Sequence, residues 1–249
     1  MAAVRTLKLL FHSIITKIKF YINIILIKKI KISNFKKITV LGRGESLNAF
    51  KYHNQNINCE NILLTNFEKN DILKSNLKKK LIRKKIIFLN NIIESPPSIL
   101  STAGLSINSV YVARFNNTSK HKLLKQKRIN YRLDSLIGKT NYLPNSIQKF
   151  LIKESNINLN TGLLGVMLAT SFRPKEIFIF GLDFYESEYF AGNLLEEMTL
   201  QHKKELLSMK ESFKKIFNTI VKKNKKINFT VFTKAKLKIK SKNIKIIKV

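Results

Sequence analysis

The sequence holds a single cysteine, Cys59, among 249 residues. One thiol excludes an internal disulfide framework and a cysteine-built metal site, and it fits a reducing compartment. The four histidines, His12, His53, His121 and His202, are scattered, with no two at metal-ligand spacing. Acidic residues are scarce: 15 Asp and Glu stand against 47 Lys and Arg, a formal net charge of +32. None precedes Glu45 and none follows Glu211. Such an imbalance favours a partner that carries phosphates. The excess, however, is almost all lysine in a chain also crowded with Ile and Asn, and a composition-wide bias adds charge without a binding reason. No zinc-finger, RNP-type or Gly-X-X-Gly module accompanies it, so nucleic acid is the disfavoured partner.

Long hydrophobic runs are missing as well. The opening stretch MAAVRTLKLLFHSIITKIKFYINIILIKKI is apolar and basic, but Lys17 and Lys19 interrupt it. Its uncharged run 20–27 falls well short of the roughly 20 residues a spanning helix needs. The stretch also lacks the small-residue cleavage site of a secretory signal. Arg5 and the missing acids leave an organelle-targeting reading open, beside a helix lying on an anionic membrane surface and a helix packed on the domain. The sequence thus divides into a basic apolar segment (1–34), a main domain (35–233) and a basic tail (234–249). The tail, KAKLKIKSKNIKIIKV, reads as an edge strand or as a second membrane or polyanion contact. Self-association as a homo-oligomer is left open.

What is present from Lys37 onward is an alternation of short apolar runs with amphipathic stretches, the pattern of strands and helices around a mostly parallel sheet. Candidate strands are KITVLG (37–42), NILLT (61–65), KIIFL (85–89), SVYVARF (109–115), EIFIFG (176–181) and INFTVF (227–232). Between the last two, Met198, Leu206, Met209, Phe213, Ile216, Phe217 and Ile220 recur at helical spacing and are expected to face the core. The paired prolines of ESPPS (94–98) mark a loop. The region 116–148 is polar and basic and is read as an insertion.

Two stretches carry chemistry. In TVLGRGESLN (39–48), a strand runs into two glycines where a helix is expected to begin. Glycine there admits a phosphate close to the backbone, with helix N–H groups pointing at it. A third glycine is missing for the dinucleotide fingerprint, and Gly-Lys-Ser/Thr is missing for a Walker loop. A plain tight turn is the competing reading. In LNTGLLGVMLATSFRPKEIFIFGLDFY (159–185), a helix capped by Asn160 or Thr161 is expected to stop near Pro174 and lead into a buried strand ending at Gly181. Thr161 and Gly162 at that helix start suit a carboxylate or phosphate, or simply cap the helix. Asp183 at the strand end is placed like a functional residue, or caps the next helix. No Asp-X-Asp is present to hold a metal under a nucleotide diphosphate.

Together, ITVLGRGESL and TGLLGVMLATSFRPKEIFIFGLDFY resemble the Gly-X-Gly-X-Ser and Thr/Ser-Gly…Lys-Glu-Ile…Gly-X-Asp-Phe-Tyr blocks of the bacterial CMP-sialic acid sialyltransferases first known from Campylobacter lipooligosaccharide synthesis. The resemblance implies a single modified Rossmann-type α/β domain with a short lid. It implies metal-independent, inverting transfer of sialic acid from a CMP donor to a glycan acceptor in lipooligosaccharide or capsule biosynthesis, and no cofactor. It places Gly42, Arg43, Gly44 and Ser46 along the CMP phosphate and ribose, Arg43 standing where asparagine is usual. Asn66 and Asn90 match asparagines that contact the donor, Asn91 fitting the second place by a one-residue slip. Thr161 stands where a serine or threonine binds the sugar carboxylate, with Gly162 beside it and Asp183 in the Gly-X-Asp block. Tyr185 and Tyr189 resemble the tyrosine pair that hydrogen-bonds the departing phosphate, though more closely spaced.

His202 is the expected general base, since histidine titrates near neutrality, at about 6.5. A solvent-facing histidine beside Lys203 and Lys204 is the alternative. The family arginine before the Thr/Ser-Gly step is absent, Asn158 occupying its place. The expected location is cytoplasmic, peripheral on the inner face of the membrane. A motility-accessory or pterin-kinase-like enzyme, or a basic polyanion binder on an inactive transferase fold, is the alternative.

Overall fold

Runs such as ILLT and IIFL are apolar on both alternating faces, so as strands they are satisfied only inside a sheet covered on both sides. The computed structural model describes residues 35–67, 71–72, 77–90, 105, 107–112, 140–144, 146–147, 150, 159–187 and 200–249. Eight strands form one sheet: β1 (Lys37–Leu41), β2 (Asn61–Thr65), β3 (Lys85–Asn90), β4 (Ile107–Val112), β5 (Thr140–Tyr142), β6 (Glu176–Phe180), β7 (Asn228–Thr233) and β8 (Ile244–Lys248). The helices are α1 (Phe50–Ile57), entered through a 3-10 turn at Glu45–Ala49, α2 (Leu77–Leu81), α3 (Thr161–Ser171) and α4 (Leu200–Lys223). The expected segment 1–34, the ESPPS loop and the residues 188–199, where a lid is expected, lie outside the described residues.

The strand order is β5-β4-β3-β2-β1-β6-β7-β8, and every neighbouring pair is parallel. The chain lays strands outward from β1 on one side and then returns to lay β6, β7 and β8 on the other. Helices α1 and α2 share a core with Ile62, Leu64 and Phe88 on one face, while α3 and α4 share a core with Val40, Leu63 and Ile179 on the opposite face. Right-handed crossovers require that change of face when the direction of strand addition reverses. The result is a doubly wound α/β fold with its switch point between β1 and β6.

Local chemistry explains the covering helices. Asn160 caps α3, its side chain accepting from Leu163 N at 2.8 Å, which decides between the two candidate caps. Gly165 lets α3 press on the sheet: a Cβ there would collide with the Thr65 methyl and lie 3.2 Å from Leu63. Phe213, Phe217 and Val221 line the buried stripe of α4 at a four-residue spacing. That helix has 24 residues, about 36 Å of rise against strands of about 17–20 Å. Its lower end is fixed by Asn243, whose amide donates to the carbonyls of Val221, Asn224 and Ile227 at 3.2, 3.1 and 3.0 Å just before β8. Phe213 already reaches Tyr185 beyond the end of β6, with ring centroids 5.9 Å apart. The first three turns of α4 therefore overhang the carboxyl ends of the strands.

One strand departs from the sequence reading, and for the tail the edge-strand reading is found. β5, three residues in the polar region read as an insertion, pairs with β4. The lysine-rich tail supplies β8, paired along its length with β7. Ten residues, 234–243, make the parallel crossover without a helix. Among the described residues, no helix is long and apolar enough to cross a membrane.

Candidate functional site

Strands β1 and β6 run side by side, so the two stretches singled out by sequence emerge together at their carboxyl ends. There they are laced to each other. Gly42 N donates to Phe180 O at 2.7 Å, Gly44 N to Gly181 O at 2.9 Å, and Gly181 N to the Ser46 hydroxyl at 3.0 Å. The contact sets the residue types. A Cβ on Gly42 would run into the Gly181 carbonyl, and a Cβ on Gly44 would lie 2.5 Å from the Asp183 carboxylate. Gly181 itself has φ +69°, and a Cβ on it would meet the Gly42 backbone. Both glycines of the opening motif are thus required by the facing turn.

Asp183 is the hub of that lacing. Its carboxylate, 3% exposed, accepts from Ser46 N (2.9 Å) and the Ser187 hydroxyl (2.7 Å) on Oδ2, and from the Thr233 hydroxyl (2.9 Å) and Lys234 N (2.9 Å) on Oδ1. A carboxylate offers about four acceptor positions. All are taken from within, joining the ends of β1, β6 and β7, so Asp183 fixes the shape of the turn. Ser46 is likewise buried, with its hydroxyl turned to Gly181. Arg43 leans away to Asp71, a buried carboxylate, with Nε 3.0 Å from Oδ2 and Nη2 donating to Oδ1 at 3.3 Å. Thr233, Lys234 and Asp71 carry this geometry, and no local pattern in the sequence marks them.

The start of α3 lies against the same place. A Cβ on Gly162 would come 2.8 Å from the Leu182 side chain, so the helix N-terminus abuts the turn after β6. Thr161 there is 9% exposed. On the other side of β1, Thr65 bonds its hydroxyl to Leu41 O at 2.9 Å, and the next residue, Asn66, turns left-handed with φ 57°. Asn90 is the last residue of β3. Gly42, Gly44, Ser46, Asn66, Asn90, Thr161, Gly162, Asp183 and Tyr185 thus all fall at or beside the strand ends. Tyr189 lies outside the described residues, and His202 belongs to the first turn of α4, in the overhang.

The turn after β6 is held under strain. Phe184 and Tyr185 are both left-handed, at φ 52° and 61°, in a region that costs a non-glycine residue about 1–2 kcal/mol. The surrounding contacts hold them there. Phe184 is buried against Phe217, Tyr185 packs on Phe213, and Glu186 is clamped. Glu186 Oε1 accepts from Lys214 at 2.6 Å and Oε2 from Lys236 N at 2.7 Å, with Lys210 3.9 Å away. Burial alone would raise the Glu186 pKa, but the Lys214 and Lys236 N–H donors and the charges of Lys214 and Lys210 outweigh it and hold it below the usual value. Burial would lower the Lys214 pKa, and Glu186 and Glu211 together raise it.

A carboxyl with a depressed folded-state pKa contributes stability above its unfolded pKa of about 4.3, and that contribution is lost as the pH falls through the folded value. Glu186→Gln is therefore expected to lower stability at neutral pH by about 1.5–3 kcal/mol, the range for a charged hydrogen bond. The difference from the parent should shrink as the pH falls below about 4. Urea unfolding at neutral and acid pH measures this, and a constant difference would remove the clamp.

Two other groups are shifted by burial. The Cys59 thiol, donating to Asn61 O at 3.3 Å, is pushed up, and Tyr111 is raised to about 12. Among the described residues, no three His, Cys, Asp or Glu are grouped to hold a metal ion.

Fold and site together define a doubly wound α/β protein with its candidate site at the switch point between β1 and β6. No family profile matches the chain, and no curated protein does. Among solved structures it is similar to the sialyltransferase CstII from Campylobacter jejuni in complex with a substrate analogue, cytidine-5'-monophosphate, at 16% identity over 80% of each chain with a TM-score of 0.46. It is also similar to a tyrosine-to-phenylalanine variant of the sialyltransferase Cst-II in complex with CMP, at 17% identity over 79% of this chain and 80% of that one, TM-score 0.47.

Proposed function

We propose that the chain is a glycosyltransferase that moves sialic acid or a related acidic sugar from a CMP donor to a glycan acceptor. The supporting observation is the convergence of the glycine turn 42–46, the helix start at Thr161 and the strained turn 181–187 at one switch point, where doubly wound folds bind nucleotides. Chain segments more than a hundred residues apart in sequence, each resembling a block of that family, meet there.

In this reading the acceptor hydroxyl attacks the anomeric carbon, the bond from that carbon to the CMP phosphate breaks, and the configuration inverts. His202 takes the acceptor proton. The Tyr185 and Tyr189 hydroxyls and the N–H groups at the start of α3 stabilise the leaving phosphate without a metal. Thr161 holds the sugar carboxylate, and Asn66 and Asn90 contact the donor. Arg43, Ser46 and Asp183, committed to partners inside the protein, serve by shaping the turn.

The test is nucleotide selection by the full chain. CMP is expected to bind at least about tenfold more tightly than UMP or AMP, a difference of about 1.4 kcal/mol. CMP-sialic acid should be turned over. Equal affinity for the three nucleotides with no turnover would reject the proposal and favour a different nucleotide enzyme.

A further inference from the structure

The crossover 234–243 and strand β8 carry seven lysines and no acidic residue, arginine or aromatic. Exposure alternates along 235–242. Ala235 is buried and Leu237 and Ile239 pack on the α3/α4 core, while Lys236, Lys238, Lys240 and Lys242 are exposed. In an extended chain such alternate residues stand about 6–7 Å apart. Lys245 is exposed too, but it stands on the face of β8 that carries Ile247 against the α1/α2 core, away from the row. Of the seven, Lys234 pairs with Glu45 and Lys248 donates to the carbonyls of Lys234 and Ala235. The side chains of the other five have no ion-pair partner among the described residues. The acidic side chains near the start of the row, Glu186 and Glu211, are held by Lys214.

Lysine on an edge strand also guards against strand addition, which accounts for Lys245 and Lys248. It does not account for the four on the crossover, which lie off the sheet's hydrogen-bonding edge. Their row runs the height of the sheet, from the strand ends at Lys236 to the foot of β8 at Lys242. Nucleic-acid surfaces add aromatic platforms for bases or arginine forks for phosphates, and this surface has neither. Evenly spaced, unpaired ammonium groups on a flush apolar backing suit diffuse attraction to a sheet of anionic headgroups.

We infer that this lysine row is a docking surface for an anionic lipid bilayer, and that it sets the strand-end site beside the membrane. The inference does not depend on the proposed reaction. It is tested with the full chain and sedimented vesicles of phosphatidylcholine doped with phosphatidylglycerol, against phosphatidylcholine alone. The variant K238Q/K240Q/K242Q is compared with K79Q/R83Q/K85Q, which removes the same charge from exposed positions around α2 and the start of β3. The expected result is partition to the doped vesicles only, lowered by about tenfold or more in the row variant and by less than about threefold in the control. Three results overturn it: equal losses in both variants, unchanged partition in the row variant, or no binding to doped vesicles. Loss of oligonucleotide binding with vesicle partition intact would assign the row to nucleic acid instead. Circular dichroism and unfolding midpoints establish that both variants are folded.

Discussion

Asp183→Ala is expected to destabilise the protein by about 2–6 kcal/mol, because it strands two backbone N–H groups at about 1–3 kcal/mol each. Those groups are Ser46 N and Lys234 N, one on each carboxylate oxygen. The Ser187 and Thr233 hydroxyls can rotate to other partners, and backbone amides cannot. The same geometry makes a sharper claim about Asp183→Asn. An asparagine supplies one acceptor oxygen and one amide donor, so in either orientation its NH2 must face one of the two backbone N–H groups. The isosteric change should therefore still cost about 1–3 kcal/mol. Total stabilities of domains lie at about 5–15 kcal/mol, so the alanine variant stands near the edge of folding while the asparagine variant remains measurable. Urea midpoints at constant m-value give both numbers. An asparagine variant of parental stability that had lost CMP binding would reverse the assignment and make Asp183 a ligand contact.

His202→Ala is expected to lower the rate of sugar transfer by about 10²–10⁴-fold, the usual worth of a positioned general base. CMP affinity should stay within about twofold, because the proposal gives His202 no contact with the nucleotide. The position supports that division. His202 lies eleven residues before Phe213, the residue that packs on Tyr185, which is roughly 16 Å along the axis of α4. The nucleotide end of the site is thus assigned to the strand ends and the acceptor end to the overhang. Since a base must be neutral to accept a proton, the parental rate should fall on the acid side of the ordinary histidine range, about 6.5, and that limb should vanish in the variant. Tyr185→Phe, which removes a hydroxyl proposed to meet the departing phosphate, should lower kcat and leave the acid limb in place. Undiminished transfer in both variants would remove these roles.

The fold was legible where side chains alone decide it. NILLT and EIFIF are uniform apolar runs bounded by polar or glycine residues, and β2 and β6 fall on them within one residue. The cap and stop of α3 follow from Asn160 and Pro174 for similarly local reasons. β5 escaped notice because TNY contains no apolar run and its strand character comes from the neighbouring edge of β4. β8 stayed ambiguous because lysine alternating with isoleucine suits an edge strand and a surface contact equally. The site shows the same division more strongly. That Gly42 and Gly44 matter is visible in the sequence, but the obstacle each avoids is contributed by Gly181 and Asp183, some 140 residues away. A phosphate and a facing turn demand glycine for the same steric reason, so the motif alone does not distinguish them. Asp183 was visible as a placed carboxylate, while the donors that saturate it come from three separate strands' ends.

The adjacency of β1 and β6 also governs how the chain reaches its native state. Lys37 pairs with Glu176, 139 positions later, so the central strand keeps one side unpaired until most of the chain exists. At ribosomal rates of about 5–20 residues per second that interval is roughly 7–28 s. Loop closure over such a span yields no net gain until the contacts beyond it form. The carboxylate that closes the span then needs donors from the ends of β1 and β7 together, and with only one in place it is buried half-satisfied. Partial assemblies are penalised twice, once in chain entropy and once in polar desolvation, so the two halves of the sheet are coupled into a single cooperative transition.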